Sequence, residues 1–315
     1  MHVSRIGHDT CLWARDAALA DDIQTRRANA VYLPDVLFPP SLRITADLAE
    51  ALRDAELVIA ALPSHGTRDI LKRVAPIIRR DAILVSATKG LERDTLLRMS
   101  EVASQELGRE VSVAVLSGPS FAAELARQLP TAASVASRHG AVVEQVQADL
   151  RAPYFRLYGT SDVVGVEIGG ALKNIIAIAA GVAEGLALGH NAQAGLITRG
   201  LAEITRLACA AGAQRETLAG LSGLGDLVLT CTGTLSRNRH VGIELARGRS
   251  VDEVLAGMKM VAEGVRTTDA ALALGQRHRV ELPIATQVAA LLEGRNDART
   301  ALYELMLRPQ RAEAG

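Results

Sequence analysis

The segment Ala82–Gly90, AILVSATKG, is a short apolar run that passes into a polar turn carrying a lysine and a glycine. A continuous apolar run of this length, bounded by a turn, reads as a strand buried on both faces of a parallel sheet. Its carboxyl-end turn is where open α/β sheets hold ligands. Two runs of the same kind flank it. Leu57–Leu62 (LVIAAL) precedes it, and Val111–Leu116 (VSVAVL) follows and runs into Ser117-Gly118-Pro119-Ser120.

Outward from these strands, apolar runs alternate with amphipathic stretches from Cys11 to about Ser161. That pattern predicts a doubly wound, Rossmann-like α/β fold built on a parallel sheet. Tyr154–Tyr158 (YFRLY) is the last strand signal, and Ala- and Leu-rich segments with helical spacing follow it. The expected organisation is a dinucleotide-binding domain over 1–161 and an all-helical substrate and catalytic domain over 162–315. The tail from Arg308 (RPQRAEAG) is expected to be frayed.

The chain has 315 residues, 49% of them hydrophobic, enough for two cores. Lys plus Arg (35) balance Asp plus Glu (35) without charge runs. This argues against a nucleic-acid track or an anionic membrane surface and leaves a small molecule as the expected partner. Cys11, Cys209 and Cys231 form no C-x-x-C pair and have no histidine at metal-ligand spacing, which fits a reducing cytoplasm and no metal. The start, MHVSRIGHDTCLWARD, has no signal-peptide core, and no insertion into a membrane is expected. Only four lysines occur: Lys72, Lys89, Lys173 and Lys259.

Val163–Leu186 (VVGVEIGGALKNIIAIAAGVAEGL) reads as a buried helix with Gly170, Ala177 and Gly181 on one closely packed face. Lys173 and Asn174 interrupt it. Burial lowers a lysine pKa toward neutrality, as proton transfer at pH 7 requires, and Gly169 and Gly170 are expected to leave room above the amine. The bland alternative is that Lys173 snorkels to solvent or pairs with Glu167.

Gly220–Arg239 (GLSGLGDLVLTCTGTLSRNR) reads as one loop-like stretch in which Ser236, Arg237 and Asn238 suit a phosphate dianion, the alternative being a solvated basic turn. Lys89 offers a point charge for a phosphate. Gly118, Ser120 and Ala122, at the end of the next strand, are small enough for close approach of a ligand. Arg15 stands after the first readable strand, where an acid usually selects NAD, and favours the 2′-phosphate of NADPH.

These residues lie in longer motifs: LWARD, LPSH, SATKGLE, LSGPSFAAELA, LPTAASVAS, GVEIGGALKNIIAIAAG, ITRGLAEITRL, GLSGLGDLVLTCTGTLSRNRHVG and VAEGVRTT. In this order, over nearly the whole chain, they resemble the bacterial NAD(P)-dependent glycerol-3-phosphate dehydrogenases. The resemblance implies reversible reduction of dihydroxyacetone phosphate to sn-glycerol 3-phosphate for phospholipid synthesis, with NADPH or NAD as cofactor. It implies that Lys173 donates and accepts the proton. Lys89, Gly118, Ser120, Asp226, Ser236, Arg237 and Asn238 match substrate-binding positions, and Asn174 with Asp226 is expected to orient the hydroxyls. Arg15, Lys89, Ala122, Arg237, Val261 and Glu263 match cofactor-contacting positions.

The family pattern opens with a strand and a G-x-G-x-W-G turn ahead of the part that SRIGHDT matches. The sheet is therefore expected to be N-terminally incomplete, lacking its central strand and the N–H groups that cradle a pyrophosphate. A chain truly beginning at Met1 is expected to bind NADPH weakly and to be marginally stable. A start assigned too far downstream is the preferred explanation, since the remainder is intact. Two alternatives stand beside this reading: a related 3-hydroxy acid or ketopantoate enzyme, and a non-catalytic relative serving as a binding protein. A homodimer through the helical domain is the expected assembly.

Overall fold

The computed structural model describes residues 1–108, 111–310 and 312, so the expected fraying of the tail falls mostly outside the described residues. Among the described residues, nine strands occupy the first half: β1 (Cys11–Trp13), β2 (Ala28–Asn29), β3 (Leu33–Leu37), β4 (Arg43–Thr45), β5 (Leu57–Ala60), β6 (Ile83–Ser86), β7 (Ser112–Ser117), β8 (Thr131–Ala136) and β9 (Phe155–Thr160). Helices α1 (His2–Arg5), α2 (Ala17–Arg26), α3 (Leu48–Leu52), α4 (Thr67–Val74), α5 (Met99–Leu107), α6 (Ala122–Ala126) and α7 (Gly140–Asp149) connect them.

The main sheet has the order β5-β6-β7-β8-β9. Leu84 and Val85 of β6 are nearly inaccessible, as the apolar run requires. Strands β5, β6 and β7 are parallel, and so are β8 and β9, but β7 and β8 pair antiparallel. The Rossmann-like sheet is parallel as expected except at that one pairing. The connection from β7 to β8 holds only the five-residue α6, too short to carry the chain back along the sheet, whereas α7 provides a full crossover before β9. Strand β8 (TAASVA) gives no strand signal in the sequence because Ala and Ser have little β preference. β1 and β4 form a separate parallel pair, and β2 and β3 an antiparallel ribbon.

Beyond Thr160 the described residues form helices only: α8 (Val163–Gly185), α9 (Gly189–Ala210), α10 (Arg215–Ala219), a π turn at Leu221–Gly225, α11 (Asp226–Thr232), α12 (Arg237–Ala246), α13 (Val251–Ala256), α14 (Glu263–His278), α15 (Pro283–Leu292) and α16 (Ala298–Met306). Asp162 starts α8, accepting from the Gly165 N–H at 2.8 Å and from the Gln214 N–H at 2.9 Å. Helix α8 is long and apolar enough to cross a membrane, but most of it lies inside the protein. Ile168, Ile175, Ile176 and Ile178 anchor its core, and each such buried side chain contributes about 1.5–3 kcal/mol. Two glycines let α8 and α12 touch backbone to backbone. A Cβ on Gly181 would meet the Arg239 carbonyl oxygen at 1.9 Å, and one on Gly242 would meet the Ile178 carbonyl oxygen at 1.9 Å.

Residues 91–98, between β6 and α5, bridge the sheet side, where Leu97 packs near Leu84 and Glu92 pairs with Arg68, and the helices beyond it. Leu91 is buried in the same core as Ile168 and Leu172. Arg93 pairs with Asp269 of α14 at 3.2 Å, and Arg98 pairs with Glu167 of α8 at 2.5 Å.

Candidate active site

Strand β6 delivers Lys89 to the face of the helical region. Its turn is held by the Ala87 N–H donating to the Ala60 carbonyl (2.8 Å) and the Leu62 N–H donating to the Thr88 hydroxyl (3.2 Å). Lys89 Nζ then donates to the Gly118 carbonyl at 3.1 Å and to Asp226 Oδ2 at 2.6 Å. Gly118 is obligatory there: its φ is +147°, and a Cβ would press on Ala133 Cα at 2.8 Å. The Ser120 hydroxyl donates to the same Gly118 carbonyl at 3.0 Å.

From the other side, α8 presents Lys173. Its Nζ donates to Asp226 Oδ1 at 2.5 Å and to the Thr230 hydroxyl at 2.7 Å. Thr230 in turn donates to the Asp226 carbonyl at 2.6 Å, so it accepts from the lysine while anchoring to its own helix. One carboxylate at the start of α11 therefore binds two ammonium groups on its two oxygens. Asp226 is 1% and Lys173 5% exposed, whereas the Lys89 side chain keeps 22% of its surface open.

The electrostatics follow from that crowding. Burial, and then the neighbouring Lys89 charge, push the Lys173 pKa from its ordinary 10.5 down to about 7 against the pull of Asp226. Burial works against the Asp226 carboxylate, yet Lys89 and Lys173 outweigh it and hold its pKa below the ordinary value. Lys173 can therefore both give and take a proton near neutrality. The snorkelling and Glu167 alternatives fall away, because Lys173 is buried on Asp226 and Glu167 is taken by Arg98 and Ser100.

Several expectations change. Gly220–Arg239 is not a loop: it contains the π turn, α11 and the start of α12, with Ser236 as the α12 N-cap accepting from the Arg239 N–H at 3.3 Å. Asn238 is buried and also has partners inside the protein. Its amide donates to Asn174 Oδ1 and its oxygen accepts from the Gly264 N–H, both at 2.9 Å, so it stitches α8, α12 and α14 together. Of the Ser-Arg-Asn cluster, only Arg237 is exposed, with Glu263 as its electrostatic neighbour. Gly169 and Gly170 do not leave room above the amine. A Cβ on Gly170 would strike Ser117 Oγ at 2.5 Å, and one on Gly169 the Ser222 carbonyl oxygen at 2.7 Å, so they seat α8 against β7 and the π turn.

Of the expected cofactor positions, Arg15 is exposed just past β1 and Ala122 is exposed at the start of α6. Val261 is half-buried ahead of α14. Glu263 opens α14 and accepts from the Ser64 N–H (3.1 Å) and the Ser64 hydroxyl (2.6 Å), which joins α14 to the turn after β5. The sequence reading missed Thr230 and Ser64. Thr230 lies four residues after Asp226, a spacing that points to one helix face only once the stretch is read as helix.

Comparison with known proteins identifies the family of the chain. Residues 1–143 match the family described as NAD-dependent glycerol-3-phosphate dehydrogenase N-terminus, and residues 162–303 match its C-terminus. The glycerol-3-phosphate dehydrogenase [NAD(P)+] of Geobacter sulfurreducens is 49% identical over 313 residues, covering 99% of this chain and 93% of that protein. That of Acidobacterium capsulatum is 51% identical over 321 residues, covering 99% and 95%. The crystal structure of glycerol-3-phosphate dehydrogenase from Coxiella burnetii superposes with a TM-score of 0.94 at 40% identity, covering 98% of this chain and 94% of that one. A ketopantoate reductase from Ralstonia eutropha, at 15% identity and a TM-score of 0.58, shares the fold alone.

Proposed function

This chain belongs to the NAD-dependent glycerol-3-phosphate dehydrogenase family, and from that premise we propose how its residues carry out the NAD(P)H-dependent reduction of dihydroxyacetone phosphate to sn-glycerol 3-phosphate. Enzyme relatives near half identity over almost the whole chain outweigh the two alternatives, another small-acid dehydrogenase and a non-catalytic relative.

The observation that carries the mechanism is the buried Lys173 sharing Asp226 with Lys89. During reduction, the ketone oxygen gains negative charge and Lys173 Nζ protonates it; in the reverse direction, neutral Lys173 takes that proton back. Asp226 and Thr230 fix the direction of the Lys173 amine. Lys89, the more open of the two lysines, supplies positive charge to the substrate, and Gly118 and Ser120 form the adjoining wall. Arg237 is the fork for the phosphate, with Ser236 setting the start of its helix. Asn174 and Asn238 act as a pair that holds α8 beside α12. A phosphate gripped at the far end aligns the carbonyl with Lys173.

The donor set also suits a dinucleotide. Arg15 and Arg237 are exposed cations for phosphate oxygens, and Glu263 is a carboxylate for a hydroxyl or amide hydrogen. Val261, Ala122 and Lys89 complete the proposed cofactor contacts. When bound, NADPH or NADH would supply the hydride; Arg15 favours NADPH. Residues 1–161 would be the dinucleotide-binding domain and 162–315 the domain that carries Lys173, Asp226 and Arg237, both contributing to the site between them, in a cytoplasmic homodimer feeding lipid synthesis.

The deciding assay follows NADPH oxidation with dihydroxyacetone phosphate set against unphosphorylated keto acids. Activity confined to the keto acids would end this reading.

A further inference from the structure

The stretch that follows the Lys89 turn, residues 91–98, reaches α8 through Leu91 and Arg98. Two buried charge clusters fix its ends, while Glu92 on Arg68 and Arg93 on Asp269 hold it between. At one end Lys89 and Lys173 share Asp226. At the other, Arg98 donates to Glu167 at 2.5 Å, and the Ser100 N–H (2.7 Å) and hydroxyl (2.6 Å) donate to the same carboxylate. Glu167 precedes Lys173 by six residues, about 9 Å along the helix at 1.5 Å per residue. The side chains of this second pair are 9% and 3% exposed.

A buried ion pair is a poor way to stabilise a fold, because desolvation offsets most of the attraction, and apolar replacements of both partners are often neutral or better. Burial indeed raises the Glu167 pKa, with Arg98 and Ser100 opposing it. What such a pair confers is register: only one placement of 91–98 on α8 satisfies both charges.

We propose that Arg98 and Glu167 are positioning residues for proton transfer, anchoring residues 91–98 on α8 so that Lys89 is held on Asp226 beside Lys173. The inference rests on the proton-transfer role assigned above to Lys173. Neither residue touches the Lys173 amine. The charged or titratable groups that face that amine are Asp226 and Cys231 from α11 and Lys89 from the β6 turn, and the Cys231 thiol, pushed up to about 12 by burial, stays neutral. If the anchor is lost, Lys89 drifts from Asp226. Lys173 then loses a repelling charge and keeps Asp226 to itself, so its proton affinity rises.

The test is direct because the protein has four lysines. Labelling them with ¹³C at Cε and titrating by NMR gives four curves, and Lys173→Arg identifies one of them. The double variant Arg98→Met/Glu167→Gln removes both charges at nearly constant volume. Its Lys173 midpoint is expected to rise by about one pH unit, a tenfold change in proton affinity. The midpoint of the pH profile for reduction should move with it, while KM for dihydroxyacetone phosphate changes less than kcat. Arg98→Lys, which keeps the charge, should stay near the wild-type midpoint. A folded double variant with the wild-type midpoint overturns the proposal. Should the double variant fail to fold, Glu167→Asp, which retracts the carboxylate by one methylene, is expected to shift the midpoint upward by less, and an unmoved midpoint there overturns the proposal equally. The titration needs neither substrate nor cofactor, so absence of dehydrogenase activity in the wild type would refute the assigned reaction and leave this result readable.

Discussion

Lys89 and Lys173 reach the same carboxylate from opposite sides, one from the turn after β6 and the other from the middle of α8, each on its own oxygen of Asp226. Burial first, and then the enforced proximity of a second cation, makes the Lys173 amine a usable acid and base at neutral pH.

Lys173→Ala removes the proton donor. Turnover in both directions should fall by a factor on the order of 10²–10⁴, the usual range for a positioned acid–base group, with NADPH affinity nearly unchanged. Steady-state rates and a fluorescence titration of NADPH check the two halves. Retained turnover would falsify the assignment.

The pH dependence has a definite sign. Reduction needs protonated Lys173, so its rate should fall as pH rises through about 7, whereas oxidation of glycerol 3-phosphate needs the neutral amine and should rise through the same range. Profiles of kcat/KM in both directions provide the check, and two profiles of the same slope there would contradict the roles given.

Thr230→Val keeps the shape of the side chain and deletes the acceptor for Lys173. We expect kcat about tenfold lower, equivalent to ~1.4 kcal/mol of transition-state stabilisation, with stability reduced by only about 1 kcal/mol. Thr230→Ser should recover most of the rate. Equal kcat in the Val and Ser variants would show that the hydroxyl is idle.

Glu203 on α9 accepts the Ile284 and Ala285 N–H groups at the start of α15, and burial pushes its pKa up to about 7. A carboxyl whose folded pKa lies above its unfolded value stabilises fully below the unfolded value, and that contribution is lost as pH rises through the folded one. Denaturant titrations from pH 4.5 to 7 should therefore show wild-type stability falling, relative to Glu203→Gln, as pH increases. Parallel curves for the two proteins are the contrary result.

Gly181→Ala would drive a methyl into the Arg239 carbonyl and part α8 from α12. Overpacking of this kind costs about 1–3 kcal/mol or more, so the melting temperature should drop, and kcat with it, because Asn174 and Asn238 bridge the same two helices. An unchanged melting temperature would mean that the crossing can open freely.

Much of this was legible in the amino-acid order. Apolar runs ending in small polar turns gave the strands of the sheet, the change to helical spacing marked where helices take over, and a lone lysine in an apolar helix marked the chemistry. What escaped was set by distance in space. The antiparallel β7–β8 pairing depends on how far the five-residue α6 can reach, and Ala–Ser-rich β8 is a strand only because its neighbours pair with it. The Gly-rich stretch from Gly220 reads as loop because local preference disfavours helix there, and packing against α8 overrides it. That Asn238 also ties α8, α12 and α14 together is invisible in the sequence, since its hydrogen-bond partners lie 64 and 26 residues away. The sequence by itself determined which residue types are present to do chemistry. Only the tertiary structure decided which of them meet, because the proton affinity of Lys173 is set by its burial and by Lys89 and Asp226 brought beside it, and no local pattern encodes a separation in space.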